Sequence, residues 1–355
     1  MKRLLITGGT GFIGSHTCLL LLSKGYELIV VDSLINSSFE PLTRISDLME
    51  KESFIQNKLH FFKGDIGDYK FMSDIFKKYR DQNKPIQGVI HFAGFKSISE
   101  SFENPFKYYE NNVSKSINLF KIMEMYECRT LVFSSSATIY AESEKGVFSE
   151  DSKIGPSSPY GHTKYIIEQI LYKIFNSNDK KWRIINLRYF NPIGAHPSGY
   201  IGENPIQKPT NLFPKINQVA FGKSKKLNIF GLNWPTKDGS AIRDYIHVMD
   251  IADGHLEALK YLFKNQSQIL SLNLGRGKGT SVLELLEIFQ EVNKCVIPYQ
   301  IRQKRIGDVA FAVANNEKAI SLLDWHPKRT LEQCCRDGWN WHKKNPLGYI
   351  DNAKF

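Results

Sequence analysis

The segment Thr7–Gly14, TGGTGFIG, determines the fold that we predict for this chain. It follows the apolar run Leu4–Thr7 and leads into Ile13–Leu22, whose apolar residues recur with helical spacing. Its glycines stand three residues apart, at Gly8, Gly11 and Gly14. Glycine lets the backbone turn tightly and approach a pyrophosphate, while the first N–H groups of the following helix face the phosphates. The segment therefore predicts a dinucleotide site between the first strand and the first helix.

Outward from this turn, β-rich runs alternate with helical patterns as far as residue 190. The predicted strands are Leu4–Thr7, Leu28–Val31, Leu59–Lys63, Val89–Phe92, Leu131–Ser134 and Arg183–Leu187. The predicted helices are Ile13–Leu22, Lys70–Tyr79, Asn112–Met125 and Tyr160–Phe175. This alternation predicts an α/β fold, a Rossmann-type doubly wound parallel sheet whose ligands bind beyond the carboxyl ends of the strands.

The second half of the chain has a different character. Residues 191–211 are rich in Pro, Gly and Asn, which indicates a long loop. Shorter elements follow, at Leu227–Phe230, Ile251–Leu262, Leu270–Leu274 and Val282–Glu291. We therefore expect an NAD-binding Rossmann domain over residues 1–190 and a smaller C-terminal α/β substrate-binding domain over residues 191–355, with some segments returning to the first domain.

Composition and charge exclude several classes of function. The 355 residues carry a formal net charge of +11, but the basic residues are dispersed. Their densest cluster, residues 223–226, has no aromatic platform beside it, so we expect no nucleic-acid partner, although a positive field favours an anionic substrate. Apolar runs are too short to cross a bilayer, and the one after Lys2 and Arg3 stops at Thr7, so we predict no membrane association, no export and a cytoplasmic location.

The five cysteines are scattered, without the spacing of a zinc site. They are Cys18, Cys128, Cys295, Cys334 and Cys335. We expect them to be reduced and structural, and we expect no metal.

Acidic residues follow the second and third strands. Asp32 ends the second strand, where a carboxylate accepts from the ribose 2′-hydroxyl and repels a 2′-phosphate, so NAD is favoured over NADP. Asp65 follows the third strand and is expected to reach the adenine. The alternative for Asp32 is a simple cap at the strand end.

Tyr160 and Lys164 form the candidate catalytic pair. Four residues apart in a predicted helix, they project from one face. A free phenol is a poor base at neutral pH, but the Lys164 ammonium and a nicotinamide cation would favour the phenolate of Tyr160. Ser135 and Ser136 follow a strand end, where either could hydrogen-bond a reacting sugar hydroxyl, and Ser136 is the preferred candidate. His91–Gly94 ends the fourth strand with small residues that permit close approach of a cofactor.

Together these motifs resemble the extended short-chain dehydrogenase/reductase family. Within it, residues 188–197, RYFNPIGAHP, and residues 243–248, RDYIHV, resemble the UDP-hexose 4-epimerases, and the similarity extends from about residue 3 to residue 345. The resemblance implies that Tyr160 removes the proton of the sugar 4-hydroxyl while C4 passes hydride to tightly held NAD. The 4-keto sugar then rotates and takes the hydride back on its other face, Ser136 orients the hydroxyl, and Lys164 lowers the pKa of Tyr160 and holds the nicotinamide ribose.

The resemblance also implies two sets of binding residues. The residues expected at NAD are Gly8, Gly11, Phe12, Ile13, Gly14, Asp32, Asn36, Asp65, Ile66, Phe92, Ala93, Lys96, Asn112, Tyr160, Lys164 and Tyr189. Those expected at the UDP-hexose are Lys96, Ser136, Tyr160, Asn191, Asn211, Leu212, Leu227, Phe230, Arg243, Tyr245, Arg305, Asp308 and Ala312. Without the resemblance, Asn112 could equally well be a helix cap. Arg243 or Arg305, taken alone, would be interpreted as a surface residue.

Ala312 stands where the glucose-restricted members of the family carry tyrosine. A methyl group there leaves room for an acetamido group at the sugar C2, so UDP-GlcNAc and UDP-GalNAc are expected as substrates beside UDP-Glc and UDP-Gal. The larger sugars could be preferred or merely tolerated, because removing a steric block does not exclude the smaller ones. The alternative is that Ala312 lies beside an unchanged pocket.

Three other functions share parts of this pattern. A nucleotide-sugar dehydratase needs an additional acid and base, but residues 136–140 contain no carboxylate. A net reductase needs exchangeable cofactor, and a non-enzymatic Rossmann redox sensor has no need of Tyr160, Lys164 and Ser136 together.

The resemblance also implies a homodimer through helices Asn112–Met125 and Tyr160–Phe175. Their apolar residues Ile117, Phe120, Ile166, Ile170 and Leu171 fit that interface and burial against the sheet equally.

Overall fold

A parallel sheet of seven strands is the framework of the protein. The computed structural model describes residues 2–49, 58–143, 146–177, 181–206, 209, 211–305 and 307–349. Its strands, in chain order, are β1 Arg3–Thr7, β2 Glu27–Asp32, β3 Leu59–Lys63, β4 Gly88–His91, β5 Thr130–Ser136, β6 Val147–Phe148, β7 Arg183–Tyr189, β8 Asn191–Ile193, β9 Leu227–Phe230, β10 Ile242–Arg243, β11 Tyr245–His247, β12 Gln268–Leu274, β13 Thr280–Ser281, β14 Tyr299–Arg302 and β15 Phe311–Ala314.

The helices lie on both faces of this sheet and in the second half of the chain. They are α1 Phe12–Ser23, α2 Glu40–Met49, α3 Tyr69–Asp81, α4 Ile98–Glu103, α5 Pro105–Tyr108, α6 Lys115–Met125, α7 Pro159–Ser177, α8 Leu212–Ala220, α9 Val248–Lys264, α10 Val282–Asn293, α11 Glu317–Leu323 and α12 Leu331–Lys344. A turn of π-helix, Tyr109–Ser114, joins α5 to α6. No helix in the described ranges is both long and apolar enough to span a membrane.

The order of the strands in the main sheet is β12-β7-β5-β4-β1-β2-β3, and every pair is parallel. The chain winds outward from β1 to β3, then returns to β4 on the other side of β1. Such a switch leaves a crevice at the carboxyl ends of the strands where ligands bind in doubly wound folds. The crevice here opens above β1 and β4.

Two apolar layers hold the helices to the sheet. On one face α1 and α9 pack over a cluster that includes Leu22, Ile90 and Leu259. On the other face α3, α6 and α7 cover a second cluster that includes Phe76 and Leu171. Because both faces are covered, the central strands are buried along their length and mostly apolar, as parallel strands are in α/β proteins.

The remaining strands build a smaller region beyond the sheet. A mixed sheet of four strands has the order β13-β10-β15-β6, and β8 pairs with β11 and β9 with β14. Helices α8, α10 and α12 close around a third cluster that includes Phe213 and Phe289. This region faces the carboxyl ends of the main strands and forms the second wall of the crevice.

The six predicted strands of the Rossmann sheet and its parallel order are confirmed. The seventh strand, β12, comes from the second half of the chain and pairs with β7 along its whole length. Helix α9 likewise packs against α1 on the main sheet. Both elements come from the second half of the chain and pack with the main sheet, whereas the predicted division into domains at residue 190 stays a prediction.

Candidate active site

The turn between β1 and α1 requires glycine at two positions. Gly8 has φ of +71°, and a Cβ there would stand 2.7 Å from the backbone nitrogen of Ala93, beyond the end of β4. A Cβ on Gly14 would stand 2.3 Å from the carbonyl oxygen of Gly8. The turn therefore closes only because both side chains are missing, and it leaves the N-terminus of α1 facing the crevice, with Gly11 at the cap position.

The end of β2 forms the next part of this wall. Asp32 accepts hydrogen bonds from the backbone N–H groups of Thr10 (3.2 Å) and Leu34 (2.9 Å) and from the hydroxyl of Ser37 (3.1 Å). These bonds fix the carboxylate at the crevice, as a ribose-binding acid requires. They also make Asp32 the cap of its own turn, and its ribose-binding role stays a prediction.

Asp65 is oriented by its own loop. Its carboxylate accepts from the backbone N–H of Gly67 at 2.8 Å and pairs with the Lys115 ammonium at 2.5 Å. The residue lines the crevice, with Ile66 beside it.

One cavity of about 700 Å³ joins the glycine turn to the candidate catalytic pair. A volume of this size is usual for a ligand pocket. Twenty of the predicted site residues line it: Gly8, Gly11, Phe12, Ile13, Gly14, Asp32, Asn36, Asp65, Ile66, Phe92, Ala93, Lys96, Ser136, Tyr160, Lys164, Tyr189, Asn191, Asn211, Leu212 and Tyr245. The dinucleotide turn, the strand ends and α7 thus meet around one space, which fits an extended cofactor with a second ligand beside it.

The candidate catalytic groups converge where β5 meets α7. Lys164 is buried, and its ammonium donates to the carbonyl oxygen of Ser134 at 2.7 Å. Its Nζ lies 6.0 Å from the centre of the Tyr160 ring. Ser136 accepts hydrogen bonds at Oγ from the backbone N–H (3.2 Å) and hydroxyl (3.0 Å) of Thr138, and its side chain lies close enough to Tyr160 to lower the pKa of the phenol.

Burial dominates the electrostatics of this pair in the protein alone. Burial raises the pKa of Tyr160 above 10, and the hydrogen bond with Ser136 partly opposes that effect. Burial also lowers the pKa of Lys164 to about 8, against the attraction of Glu168, which raises it. In the protein alone, burial therefore opposes the phenolate of Tyr160, because the charged form loses its hydration. The cation of a bound nicotinamide is the remaining source of that stabilisation.

Asn112 and Tyr189 direct their polar groups into the protein. The Asn112 amide accepts from the N–H of Phe95 at 2.8 Å, donates to its carbonyl oxygen at 3.0 Å and donates to Thr163 Oγ1 at 3.2 Å. The Tyr189 hydroxyl is hydrogen-bonded to His255 Nε2 at 2.5 Å. Asn112 thus ties the loop after β4 to α7 without itself lining the cavity, and Tyr189 presents its ring rather than its hydroxyl.

A second cluster holds four predicted substrate residues outside that cavity. Arg243 and Arg305 approach the Asp308 carboxylate at 3.7 and 3.9 Å. The Arg305 guanidinium lies 3.9 Å from the centre of the Phe230 ring. Two guanidinium groups beside an aromatic face suit a diphosphate and a base.

The last two predicted residues lie close to this cluster but are more enclosed. Leu227 is buried in the third apolar cluster, so only its backbone is available to a ligand. Ala312 is aligned with Arg243 in parallel register and packs on a small cluster that contains Phe190, which lines the cavity.

The sequence interpretation missed two charged residues at the site. Glu168 is buried one helical turn after Lys164, and Glu203 pairs with Lys96 at the cavity mouth. Only its spacing of four residues from Lys164 could have indicated that Glu168 lies near the site. Glu203 lies in the predicted loop of residues 191–211, where no sequence pattern indicates its role.

All five cysteines are free, as expected, and four of them are buried. Within the described ranges, no three His, Cys, Asp or Glu side chains come together as a metal site.

Comparison with known proteins gives a consistent result. A model of the GDP-mannose 4,6 dehydratase family matches residues 5–338. UDP-glucose 4-epimerase 2 of Arabidopsis thaliana is 45% identical over 352 residues, which cover 99% of this chain and 98% of that protein. The crystal structure of UDP-glucose 4-epimerase from Bifidobacterium longum in complex with NAD+ and UDP has a TM-score of 0.91 and 38% identity, covering 98% of this chain and 100% of that one. The UDP-Glc/GlcNAc 4-epimerase of Campylobacter jejuni has a TM-score of 0.81 and 32% identity, covering 97% and 100%.

Proposed function

This chain belongs to the UDP-glucose 4-epimerase family, and from that membership we propose that it interconverts UDP-glucose and UDP-galactose at C4 with NAD. The observation that carries the proposal is the single cavity that joins the glycine turn to Tyr160, Lys164 and Ser136. NAD fits the cavity wall, because Gly8 and Gly14 leave the backbone open beside the N-terminus of α1 and Asp32 is fixed at the adjoining strand end. When bound, NAD accepts a hydride from the sugar C4 and returns it.

The residues around Tyr160 perform the proton transfer. Tyr160 takes the proton of the sugar 4-hydroxyl and gives it back after the sugar has turned over. Ser136 holds that hydroxyl in line, and its own position is fixed by the two hydrogen bonds from Thr138. Lys164, fixed by the Ser134 carbonyl, supplies positive charge beside the forming phenolate.

The cluster of Phe230, Arg243, Arg305 and Asp308 anchors the UDP group. Guanidinium groups bind phosphate oxygens in pairs, and the anchored diphosphate lets the sugar rotate without leaving. Asn191, Asn211, Leu212 and Tyr245 line the cavity next to this cluster and complete the substrate wall.

The substrate range extends to UDP-GlcNAc and UDP-GalNAc. Ala312 contributes only a methyl group, beside Arg243 and close to Phe190. The Campylobacter jejuni protein, a relative with 32% identity, is described as a UDP-Glc/GlcNAc 4-epimerase. Both observations favour a pocket with room for an acetamido group.

A homodimer is the proposed assembly. Three large apolar side chains on α4 and α5 are exposed, Ile98 by 44%, Phe102 by 47% and Phe106 by 87%, and both helices pack against α7. Of the five apolar residues predicted for the interface, Phe120 and Leu171 belong to the core beneath the sheet. The contact surface is therefore better described by α4, α5 and the outer side of α7.

Dehydration is the second activity to consider, because the matching family model is named for a dehydratase. Elimination of water needs an acid and a base besides the tyrosine. Residues 136–140, which lead away from β5 at the catalytic centre, contain no carboxylate. The site thus favours epimerisation.

Side-by-side assays of UDP-Gal and UDP-GalNAc test the proposal. The wild-type protein should epimerise both, and Tyr160→Phe should slow both by roughly 10²- to 10⁴-fold. Ala312→Tyr should abolish turnover of UDP-GalNAc while UDP-Gal is still converted. Continued turnover of UDP-GalNAc by Ala312→Tyr contradicts the role of Ala312, and full activity of Tyr160→Phe contradicts the mechanism.

A further inference from the structure

Three successive serines at the end of β5 each contact a different turn of α7. The Ser134 carbonyl accepts from Lys164 at 2.7 Å, the Ser135 hydroxyl donates to Glu168 at 2.5 Å, and the Ser136 side chain lies close enough to Tyr160 to lower its pKa. The three partners on α7 are spaced by four residues, so they lie on one helix face. The proposed reaction uses Tyr160 and Lys164 and leaves Glu168 without a role.

Glu168 is fully paired within the protein. Arg188 of β7 donates from Nε to Oε1 at 3.1 Å and from Nη2 to Oε2 at 2.7 Å, and both side chains are buried. Arg188 is aligned with Ser135 in the parallel register of β5 and β7, so one level of the sheet supplies both donors. A buried ion pair is a poor source of stability compared with apolar packing. Its position one turn from Lys164 therefore points to another role.

We propose that Glu168, held by Arg188 and Ser135, is a positioning residue that keeps Lys164 in its ammonium form and fixes α7 on β5. The inference rests on the proposed function, in which Lys164 must be charged while Tyr160 takes the proton. The Ser135–Glu168–Arg188 group thus supports the proton transfer at Tyr160 through Lys164, in addition to its structural contacts.

The charge of Glu168 helps the buried Lys164 to keep its proton. The ionisable groups on the elements around Lys164 are Tyr160 and Glu168 on α7, His91 on β4, and Arg188 and Tyr189 on β7. Strand β5 contributes the Ser134 carbonyl and the Phe133 ring, whose centre is 5.0 Å from Nζ. Burial lowers the pKa of His91 to about 3, so it is neutral, and burial raises the pKa of both tyrosines. Among these groups Glu168 is the only carboxylate, and its attraction opposes the loss of the Lys164 proton.

Glu168→Gln tests this role because it keeps the shape and removes the charge. The alkaline limb of the kcat profile should move down by about one pH unit, as expected when an opposite charge nearby is removed. The Cε resonance of Lys164, in protein labelled with ¹³C-lysine and assigned with Lys164→Met, should move by the same amount. KM for the UDP-sugar should change little, since Glu168 does not line the cavity.

A second variant guards against misfolding, because Glu168→Gln leaves Arg188 charged and unpaired in the interior. Glu168→Gln with Arg188→Met removes both charges and should still show a downward shift, but a smaller one, because a cation near Lys164 is lost together with the anion. The matched control is Glu124→Gln with Arg129→Met, which removes an ion pair of 2.8 Å at the opposite end of β5 and should leave the Lys164 titration unchanged.

Titration of Lys164 at the wild-type pH in Glu168→Gln, with the fold of the variant verified, would overturn the inference. The resonance requires no turnover, so it reports on Glu168 even if the wild-type protein fails to epimerise UDP-sugars. That failure would contradict the proposed function alone.

Discussion

At the scale of one residue, the positive charge of buried Lys164 serves the proposed reaction but lowers the stability of the folded protein. Burial lowers its pKa from 10.5 to about 8, so below pH 8 the folded protein holds an ammonium where the interior disfavours it. This costs the folded state about 3 kcal/mol at neutral pH. The Ser134 carbonyl is the single hydrogen-bond acceptor that the structure gives this ammonium.

Lys164→Met should therefore inactivate the enzyme and stabilise it. After allowing for the lost hydrogen bond to Ser134, we expect the free energy of unfolding at neutral pH to rise by about 2 kcal/mol. The gain should shrink as the pH rises from about 8 to 10.5, because wild-type Lys164 then releases its proton and the folded state no longer bears the cost. Urea unfolding of both proteins near pH 7 and near pH 10 measures this. A variant that is less stable than wild type near pH 7 contradicts it.

Single residues also show what the sequence could predict and what it could not. The need for glycine at Gly14 and the cap bond of Asp32 to Leu34 were predictable, because both depend on the backbone of a local turn, whereas the close approach of Gly8 to Ala93 joins distant segments. The polar contacts of Asn112 and Tyr189 were not, since their partners Phe95, Thr163 and His255 are distant in the chain or belong to other elements. A type of residue and its spacing specify a face, but not the partner that meets it.

The same distinction holds for helices and strands. The six strands of the first half are local patterns, and all were found. The pattern of β12 predicted a strand at Leu270–Leu274, but periodicity does not say which sheet a strand joins, and β12 completes the main one. The π-helical turn Tyr109–Ser114 was predicted in part as α-helix, because its wider hydrogen bonding has no signature in apolar spacing.

At the scale of helices, the proposed dimer interface on α4 and α5 can be tested with one substitution. Phe106 is 87% exposed on a short helix beside α7, so a charge there should break an interface without disturbing the core. Phe106→Asp should reduce the mass in solution from that of a dimer to that of a monomer, measured by light scattering. Val296→Asp is the matched control, because Val296 is 82% exposed after α10 and away from these helices. A monomeric wild-type protein, or a dimeric Phe106→Asp variant, contradicts the proposed surface.

At the scale of the whole molecule, distant segments meet at the mouth of the cavity. Lys96 follows β4 and pairs with Glu203 at 2.9 Å, across 107 positions of sequence. The Tyr349 hydroxyl accepts from the N–H of Gly202 at 2.9 Å and donates to its carbonyl oxygen at 3.0 Å. The C-terminal segment thus fixes the loop that holds Glu203 against Lys96, an arrangement that local sequence patterns could not show.

Because Lys96 is predicted to bind the anionic ligands, its pairing with Glu203 competes with them. Glu203→Gln should free the ammonium and lower KM for the UDP-sugar while kcat is unchanged. Lys96 is 50% exposed, and such a pair contributes at most about 1 kcal/mol, so the decrease in KM should not exceed about fivefold. Asp74→Asn, which breaks the exposed pair with Lys70 on α3, should leave KM unchanged. A higher KM in Glu203→Gln would mean that Glu203 orients Lys96 for binding instead of competing with the ligand.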